Sequence, residues 1–408
     1  MATKKPVTDH LILTATGPGG TKAKKIKVTV NPGAGTPPPL TGATSVVSDT
    51  YTSCALLASG GVDCWGDGIA GDLGNGGFAE SALPVHVVGV GGTGTLSGVV
   101  ALASSGTVSY CALLASGGVD CWGYGAEGEL GNSPNSQSAP PVRVVGVGGT
   151  GTLSGVASLS GSYRRGTYCA VLGSGGVDCW GNGGALGNGS FSNSGAPVQV
   201  TGVGGAGTLS GVASLAASQL SFCAVLTSGG VDCWGSGYNG DLGDASSSNS
   251  AFPVQVVGVG GTDTLAGVTS LTASLNSYCA LVPSVGVDCW GDDAVGELGN
   301  GSVSAMGSAI PVAVSGVGNT GTLTGVISVA TDGASYCVVL SSGGVDCWGG
   351  GPLGNGSTGQ SSSPVAVSDV GGSGTLAGVT SLGASAPGTV CALLTSGGVD
   401  CWGYSIVR

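Results

Sequence analysis

The sequence predicts an all-β fold: a seven-bladed β-propeller with one disulfide inside each blade, preceded by an N-terminal β-hairpin arm. Three observations predict it. Fourteen cysteines fall into seven pairs ten positions apart: Cys54 and Cys64, Cys111 and Cys121, Cys169 and Cys179, Cys223 and Cys233, Cys279 and Cys289, Cys337 and Cys347, Cys391 and Cys401. First cysteines recur every 54 to 58 residues, and each second cysteine stands in the word Gly-Val-Asp-Cys-Trp-Gly, so all seven tryptophans follow a cysteine. Glycine makes up about a fifth of the 408 residues, against roughly 7% in average usage. With no Gly-X-Y period, that composition suits short strands joined by glycine turns. It does not suit helices, where each glycine costs about 1 kcal/mol relative to alanine.

The elements of one copy follow in order. A run of the form Gly-Val-x-Ser-Leu, as in Gly155–Leu159 and Gly267–Leu271, reads as a first strand. Two apolar runs around Ser-Gly-Gly, as in Cys54–Trp65, read as a hairpin whose turn needs a residue at φ > 0. The fifth copy has Pro283-Ser284-Val285-Gly286 there, which points to the second glycine as the left-handed one. Folding the hairpin about its turn sets Cys54 opposite Cys64, within cross-strand reach, so seven local disulfides are the simplest pairing. Zinc fits poorly, because its cysteines come closer together and in fours, and only His10 and His86 are available. Free thiols would not explain seven matched pairs.

A fourth strand reads from Pro-Val-x-Val at Pro84, Pro141, Pro197, Pro253, Pro311 and Pro364. Four short strands per copy is the arithmetic of a propeller blade, and burial between neighbours on both faces accounts for strands apolar on both sides. The seventh copy has no such fourth strand, so either Ile406-Val407 or the N-terminal arm is expected to finish it.

The word order Gly-Val-x-Ser-Leu, then Cys-Ala-Leu-Leu-x-Ser-Gly-Gly-Val-Asp-Cys-Trp-Gly, then Asp72-Leu73-Gly74-Asn75-Gly76 resembles the regulator of chromosome condensation repeat. It looks most like the cysteine-paired forms in bacterial secreted and surface proteins, and the resemblance runs from Leu40 to Gly403. It implies the seven-bladed propeller and a habit of binding proteins. The family holds both a nucleotide exchange factor for a small GTPase and an inhibitor of β-lactamases, so no single activity is implied.

Residues 1–30 read as a basic arm, 31–39 as a Pro/Gly linker and 40–408 as the propeller. The arm has strand-like runs His10–Thr16 and Lys24–Val30 and resembles the last hairpin of a bacterial immunoglobulin-like repeat, a partial domain. Two strands are marginal alone, so Leu11, Leu13, Lys24, Lys25, Ile26, Val28 and Val30 are expected to dock on the propeller or on a neighbour. The linker would reach about 28 Å when extended.

Charge divides at the same place. All six lysines lie in the first 27 residues, whereas from Leu40 onward there are 21 acids, no lysine and four arginines. An acidic propeller argues against nucleic acid as a partner. No apolar stretch is long enough for a membrane span. Disulfides point to an extracellular or cell-surface setting, and the absence of a signal-like N-terminus to a leader peptide missing from this chain.

No nucleophile and base can be assembled, so no enzyme is expected. The aspartates before the second cysteines (Asp63, Asp120, Asp178, Asp232, Asp288, Asp346, Asp400) would form a ring, and Ca2+ is the one cofactor such a ring would suit. The plainer expectation is no cofactor, with each aspartate capping a turn or bonding a neighbouring blade. Asn-Gly-Ser at Asn188, Asn300 and Asn355 reads as Asn-Gly turns. The expected function is a non-enzymatic structural, adhesion or assembly subunit, a homo-oligomer or filament built by strand donation from the arm. The alternative is a secreted protein-binding or inhibitor propeller using one face, with Tyr124, Tyr163, Phe191, Tyr238 and Phe252 as contact residues.

Overall fold

The computed structural model describes residues 40–404, except 107, 386 and 387 (and 385 as backbone only), together with the backbone of two arm strands, Val7–Gly17 and Gly20–Val30. Seven antiparallel blade sheets give the seven-bladed β-propeller fold, and among the described residues there is no α-helix. In blade one the strands are Ala43–Ser48, Thr52–Leu57, Val62–Gly66 and Ser81–His86, hydrogen-bonded in that order. Blades two to six repeat this four-stranded order. Among the described residues blade seven has three strands, Val379–Ser385, Thr389–Leu394 and Val399–Gly403. Ile406-Val407 and the linker 31–39 lie outside the described residues.

Every cysteine is bridged within its own blade. Cys54 joins Cys64, Cys111 joins Cys121, Cys169 joins Cys179 and Cys223 joins Cys233. In the remaining blades Cys279 joins Cys289, Cys337 joins Cys347 and Cys391 joins Cys401. Their Cα atoms are 4.0–4.1 Å apart. The paired cysteines stand directly opposite across the second and third strands, as in Cys54 against Cys64 and Cys111 against Cys121. Such close approach belongs to the non-hydrogen-bonded pair of an antiparallel ladder. On the third strands Cys64, Cys121, Cys179, Cys233, Cys289 and Cys347 are wholly buried, so these bridges are structural pins and not a reactive surface.

The turn between these strands corrects one expectation. In six copies the first glycine is left-handed: Gly60 has φ +79°, and its N–H donates to the Leu57 carbonyl at 2.8 Å. The second glycine, Gly61, is not among the positive-φ residues. In the fifth copy Val285 occupies the first position, where a β-branched residue resists φ > 0. There the left-handed residue moves to Gly286 (φ +136°), which pairs with Val282 and lengthens the hairpin.

Burial on both faces holds for the two middle strands and not for the outer ones. Ser109–Leu114 is buried at five of six positions and Val119–Gly123 at all five, whereas Ser81–His86 has no fully buried residue.

The chain divides into two compact units. One holds Met1–Gly173, Asp178–Gly183 and Ser192–Gln199; the other holds Ser174–Val177, Gly184–Phe191 and Val200–Arg408. Within each unit, blades two to six are latched in one way, whereas in blade seven Val390 stands opposite Trp402 and the Trp402 indole N–H finds no partner among the described residues. The tryptophan of a latched blade stacks on the aromatic residue opposite it, Tyr110 on Trp122 at 6.0 Å and Tyr278 on Trp290 at 5.7 Å between centroids. Its indole N–H then donates to a backbone carbonyl of the preceding copy's Asp-Leu-Gly or Glu-Leu-Gly word. In the first unit, Trp122 bonds Asp72 and Trp180 bonds Glu129, both at 2.9 Å. In the second, Trp290 bonds Asp241 at 3.1 Å and Trp348 bonds Glu297 at 2.8 Å.

The leucine of that word, such as Leu73 or Leu242, is buried and contributes about 1.5–3 kcal/mol. The glycine after it must lack a side chain, because a Cβ on Gly74 would lie 2.9 Å from the Trp122 ring. Tyrosine hydroxyls add a second latch, from Tyr110 to the Thr52 carbonyl at 2.6 Å and from Tyr336 to that of Ser277 at 2.8 Å. The Asn-Gly-Ser words are turns in which Asn188, Asn300 and Asn355 accept from the N–H two residues on, at 3.0–3.1 Å.

Candidate protein-binding site

Antiparallel order puts the loops after the first and third strands at one end of a blade. The Ser-Gly-Gly turns and inter-blade linkers lie at the other. In the first unit the former end carries Tyr51, Ile69, Phe78 and Tyr163, all exposed, while Tyr124 is half-buried. In the second unit it carries Phe191, Tyr238, Val303, Met306 and Tyr404, also exposed. Phe252 stands apart on the fourth strand of blade four, Ser250–Gln255. Its ring sits so close to Gly189 and Gly205 that a Cβ on either would fall 2.5 or 2.8 Å from it.

The loop Ser162-Tyr163-Arg164-Arg165-Gly166 of blade three holds the richest chemistry. It is longer than the corresponding loop of the other blades. Its base is pinned where the Ser162 N–H donates to the Thr167 carbonyl at 2.9 Å and the Ser162 hydroxyl accepts from the Thr167 N–H at 3.2 Å. Blade two supplies the seat. A Cβ on Gly106 would lie 1.7 Å from the Tyr163 carbonyl oxygen, and one on Gly166 would lie 2.6 Å from Glu129 Cγ. The backbone is therefore held close, while Tyr163, Arg164 and Arg165 are all exposed.

Residues 40–404 contain one further cation, Arg143, whose Nε donates to Asp120 Oδ1 at 3.0 Å. The sequence names Tyr163 as a candidate contact residue and does not single out Arg164 or Arg165. Loop length, compared between copies, was the signal. Likewise Ile69 stands where Tyr238 stands in its copy, and Phe78 where Phe191 does.

The seven aspartates lie one per blade on the third strands. Two of them bond a side chain of their own blade, in place of the turn cap or neighbouring-blade bond expected: Asp63 bonds His86 Nδ1 and Asp120 bonds Arg143. Elsewhere the opposite residue is Gln199, Gln255, Ala313 or Ala366, which brings no charge. Without a cation, burial pushes Asp232 and Asp288 up to about 6 and raises Asp178 and Asp346. Among the described residues no three histidine, cysteine or acidic side chains gather as a metal site. A cavity of about 190 Å³ beside Asp232, lined by Ser228, Gln255, Thr264 and Leu265 among others, is below the roughly 300–1,000 Å³ of small-molecule sites.

The arm strands pair with each other in one register, Leu11 opposite Ile26 and Leu13 opposite Lys24, as a two-stranded sheet of their own. Lys25 faces Ile12, Val28 faces Asp9 and Val30 faces Val7 across the same pair. The side chains of these arm residues lie outside the described residues.

Six four-stranded sheets and one three-stranded sheet, built from seven copies of one repeat, define the class: the chain has an RCC1-like seven-bladed β-propeller fold. No family model matches the sequence. Over 254 residues, 62% of the chain, it is 31% identical to the E3 ubiquitin-protein ligase HERC2 of mouse and of human. It spans 5% of the length of those relatives. The fold is shared with Prp20p of Saccharomyces cerevisiae, described with its binding to Gsp1p and histones, at TM-score 0.60 and 18% identity over 88% of this chain and 82% of that one. The same yeast protein, RCC1 (Prp20), bound by Kap60, aligns at TM-score 0.60 and 18% identity over 93% and 86%. Human WBSCR16 aligns at TM-score 0.51 and 22% identity over 66% and 67%. No helix of the described residues is long and apolar enough to cross a membrane, which says nothing of β-barrels.

Proposed function

We propose that this chain is an extracellular, non-enzymatic protein-binding propeller that engages an acidic protein surface through the Tyr163–Arg165 loop. One observation carries the reading: two exposed arginines beside an exposed tyrosine stand on a backbone seated against blade two, in a domain otherwise almost free of cations. Tyrosine and arginine dominate interface hot spots, and a pre-seated loop loses little entropy on binding. Binding of Gsp1p and histones by Prp20p, and of Kap60 by yeast RCC1, supports a protein partner as the ligand class. The seven disulfides are consistent with an oxidising compartment.

The test replaces Tyr163, Arg164 and Arg165 together by alanine in the full chain. Proteins captured from the extracellular fraction of the source cells are then quantified. A defined partner held by the unchanged chain should lose about 30-fold in affinity with the variant, the size of one hot spot. Equal capture by both would sink the reading.

A second reading, a structural, adhesion or assembly subunit, draws support from the three-stranded seventh sheet, since an open strand edge recruits other strands. Donation of an arm strand to a neighbouring propeller would be heterologous and would build a ring or a filament. Light scattering on the chain with and without residues 1–30 decides it. The same monomer mass in both would remove the reading.

A further inference from the structure

The third-strand aspartates differ in what the fourth strand sets against them, and the difference marks a site in blade four. In blades one and two a basic side chain stands directly opposite, His86 to Asp63 and Arg143 to Asp120. Both bond the carboxylate, Arg143 through Nε at 3.0 Å and Nη2 at 3.5 Å. The same place on the ladder of blade four holds Gln255, opposite Asp232. Asp232 is 4% exposed, yet among the described residues neither Gln255 nor any other group bonds its carboxylate. A buried carboxylate without charge partner or hydrogen bond is costly, and a cation relieves that cost.

Asp232 borders the cavity of about 190 Å³ at the turn end of this blade. Leu226, Val231 and Leu265 give the cavity apolar walls, and the exposed residues Ser228, Gln255 and Thr264 stand at its rim. The walls are held in place by backbone bonds: the Leu265 N–H donates to the Val256 carbonyl at 2.9 Å, and the Gly229 N–H to that of Leu226 at 2.8 Å. All of these residues belong to one compact unit. Asp178 and Asp288 each hold a carboxylate oxygen sealed off without a partner, whereas Asp232 does not. The unpaired charge of blade four is thus the one that lies beside an open cavity.

We infer that this cavity is a binding site for the guanidinium of an arginine carried by a partner protein, with Asp232 as its counter-ion. Arg143 on Asp120 shows the same pairing made within the chain, at the same position of the ladder. A guanidinium has five N–H donors in a planar fork, so the carboxylate takes two and the rim oxygens of Ser228, Gln255 and Thr264 are acceptors for others. The apolar walls suit the alkyl stem. Lysine, a compact and strongly hydrated charge, gives up more water for fewer directed bonds. Ca2+ needs about six to eight oxygens, and among the described residues no such group of ligands gathers. Burial pushes Asp232 up to about 6, and a guanidinium beside it offsets that shift. This inference is independent of the Tyr163 loop, which carries the opposite charge.

The probe is an end-capped Gly-Gly-Arg-Gly-Gly peptide, titrated into the full-length chain and followed by backbone amide NMR. Signals of Gly230, Val231 and Leu265 should shift and saturate with it. They should stay in place with the citrulline peptide, which has the same shape and no charge. Asp232→Asn keeps the side-chain volume and should weaken binding of the arginine peptide at least 10-fold. Gln255→Arg copies the arrangement of Arg143 and should fill the cavity from within. Binding should then be lost with all seven native bridges present and no fall in melting temperature, which a misfolded variant would not show. Unchanged affinity in Asp232→Asn, or equal binding of the citrulline peptide, overturns the site. Butylguanidinium separates the two sources of the same cation. It should bind at least 3-fold more weakly than the peptide, because it lacks the flanking backbone that a protein brings to the rim. Equal affinity overturns the protein partner and assigns the cavity to a free small cation.

Discussion

Where it is complete, the contact between blades reduces to a few atoms: one indole N–H, one tyrosine hydroxyl and the glycine that makes room for the ring. Trp290 shows the arrangement most completely, stacked on Tyr278 and donating to the buried carbonyl of Asp241 at 3.1 Å. Trp290→Phe keeps the stack and strands that carbonyl, so unfolding in urea should show a loss of about 1–3 kcal/mol. An unchanged midpoint and slope would mean that the bond is replaced by solvent. Phe222, which stands on Trp234 where four other copies have tyrosine, shows that the hydroxyl latch is dispensable at one position while the ring is retained.

The hairpin is the element that carries the disulfide, and its turn depends on one glycine of the two. Gly229 has φ +85°, and a Cβ there would lie 3.0 Å from the Gly267 nitrogen; a Cβ on Gly230 meets nothing nearer than 3.7 Å. Gly229→Ala should therefore cost about 1–2 kcal/mol, the strain of a left-handed L-residue, and Gly230→Ala should change the melting temperature little. Equal effects would contradict the turn described. The hairpins were legible in the sequence because apolar runs, turn residues and cysteine spacing are all local. Which glycine bends the chain was not. It depends on a hydrogen bond across the turn and on the approach of the next blade's first strand.

Over the whole molecule, the buried acids set the response to pH. Burial pushes Asp241 and Glu129 up to about 7, and Asp232, Asp288 and Asp293 up to about 6. In the unfolded chain such groups titrate near 4. Between those values the folded chain holds more protons than the unfolded one, so stability falls as pH rises from about 4 to about 7. The urea midpoint should be higher at pH 5 than at pH 7.5, and Asp241→Asn should narrow the difference. A midpoint that rises with pH over this range would refute the assignment. Asp241 accepts from Ser218 and Ser221 through one oxygen, while the other finds no partner among the described residues. Nothing local foretells this, because Asp241 sits in a glycine-rich loop that reads as solvent-exposed.

Sequence alone determined the all-β class, the seven copies, the disulfide pairing and the incomplete seventh blade, because each follows from contacts within one hairpin or from counting along the chain. Tertiary structure decided what crosses from strand to strand and from blade to blade. It placed Arg143 and His86 on the aspartates of their own blades, seated Phe252 on two glycines, and left Tyr163, Arg164 and Arg165 exposed on a supported loop. It also exposed Val399, whose six counterparts are buried. Burial of that kind is set by the neighbour that covers a strand, and the sequence of one copy does not name that neighbour.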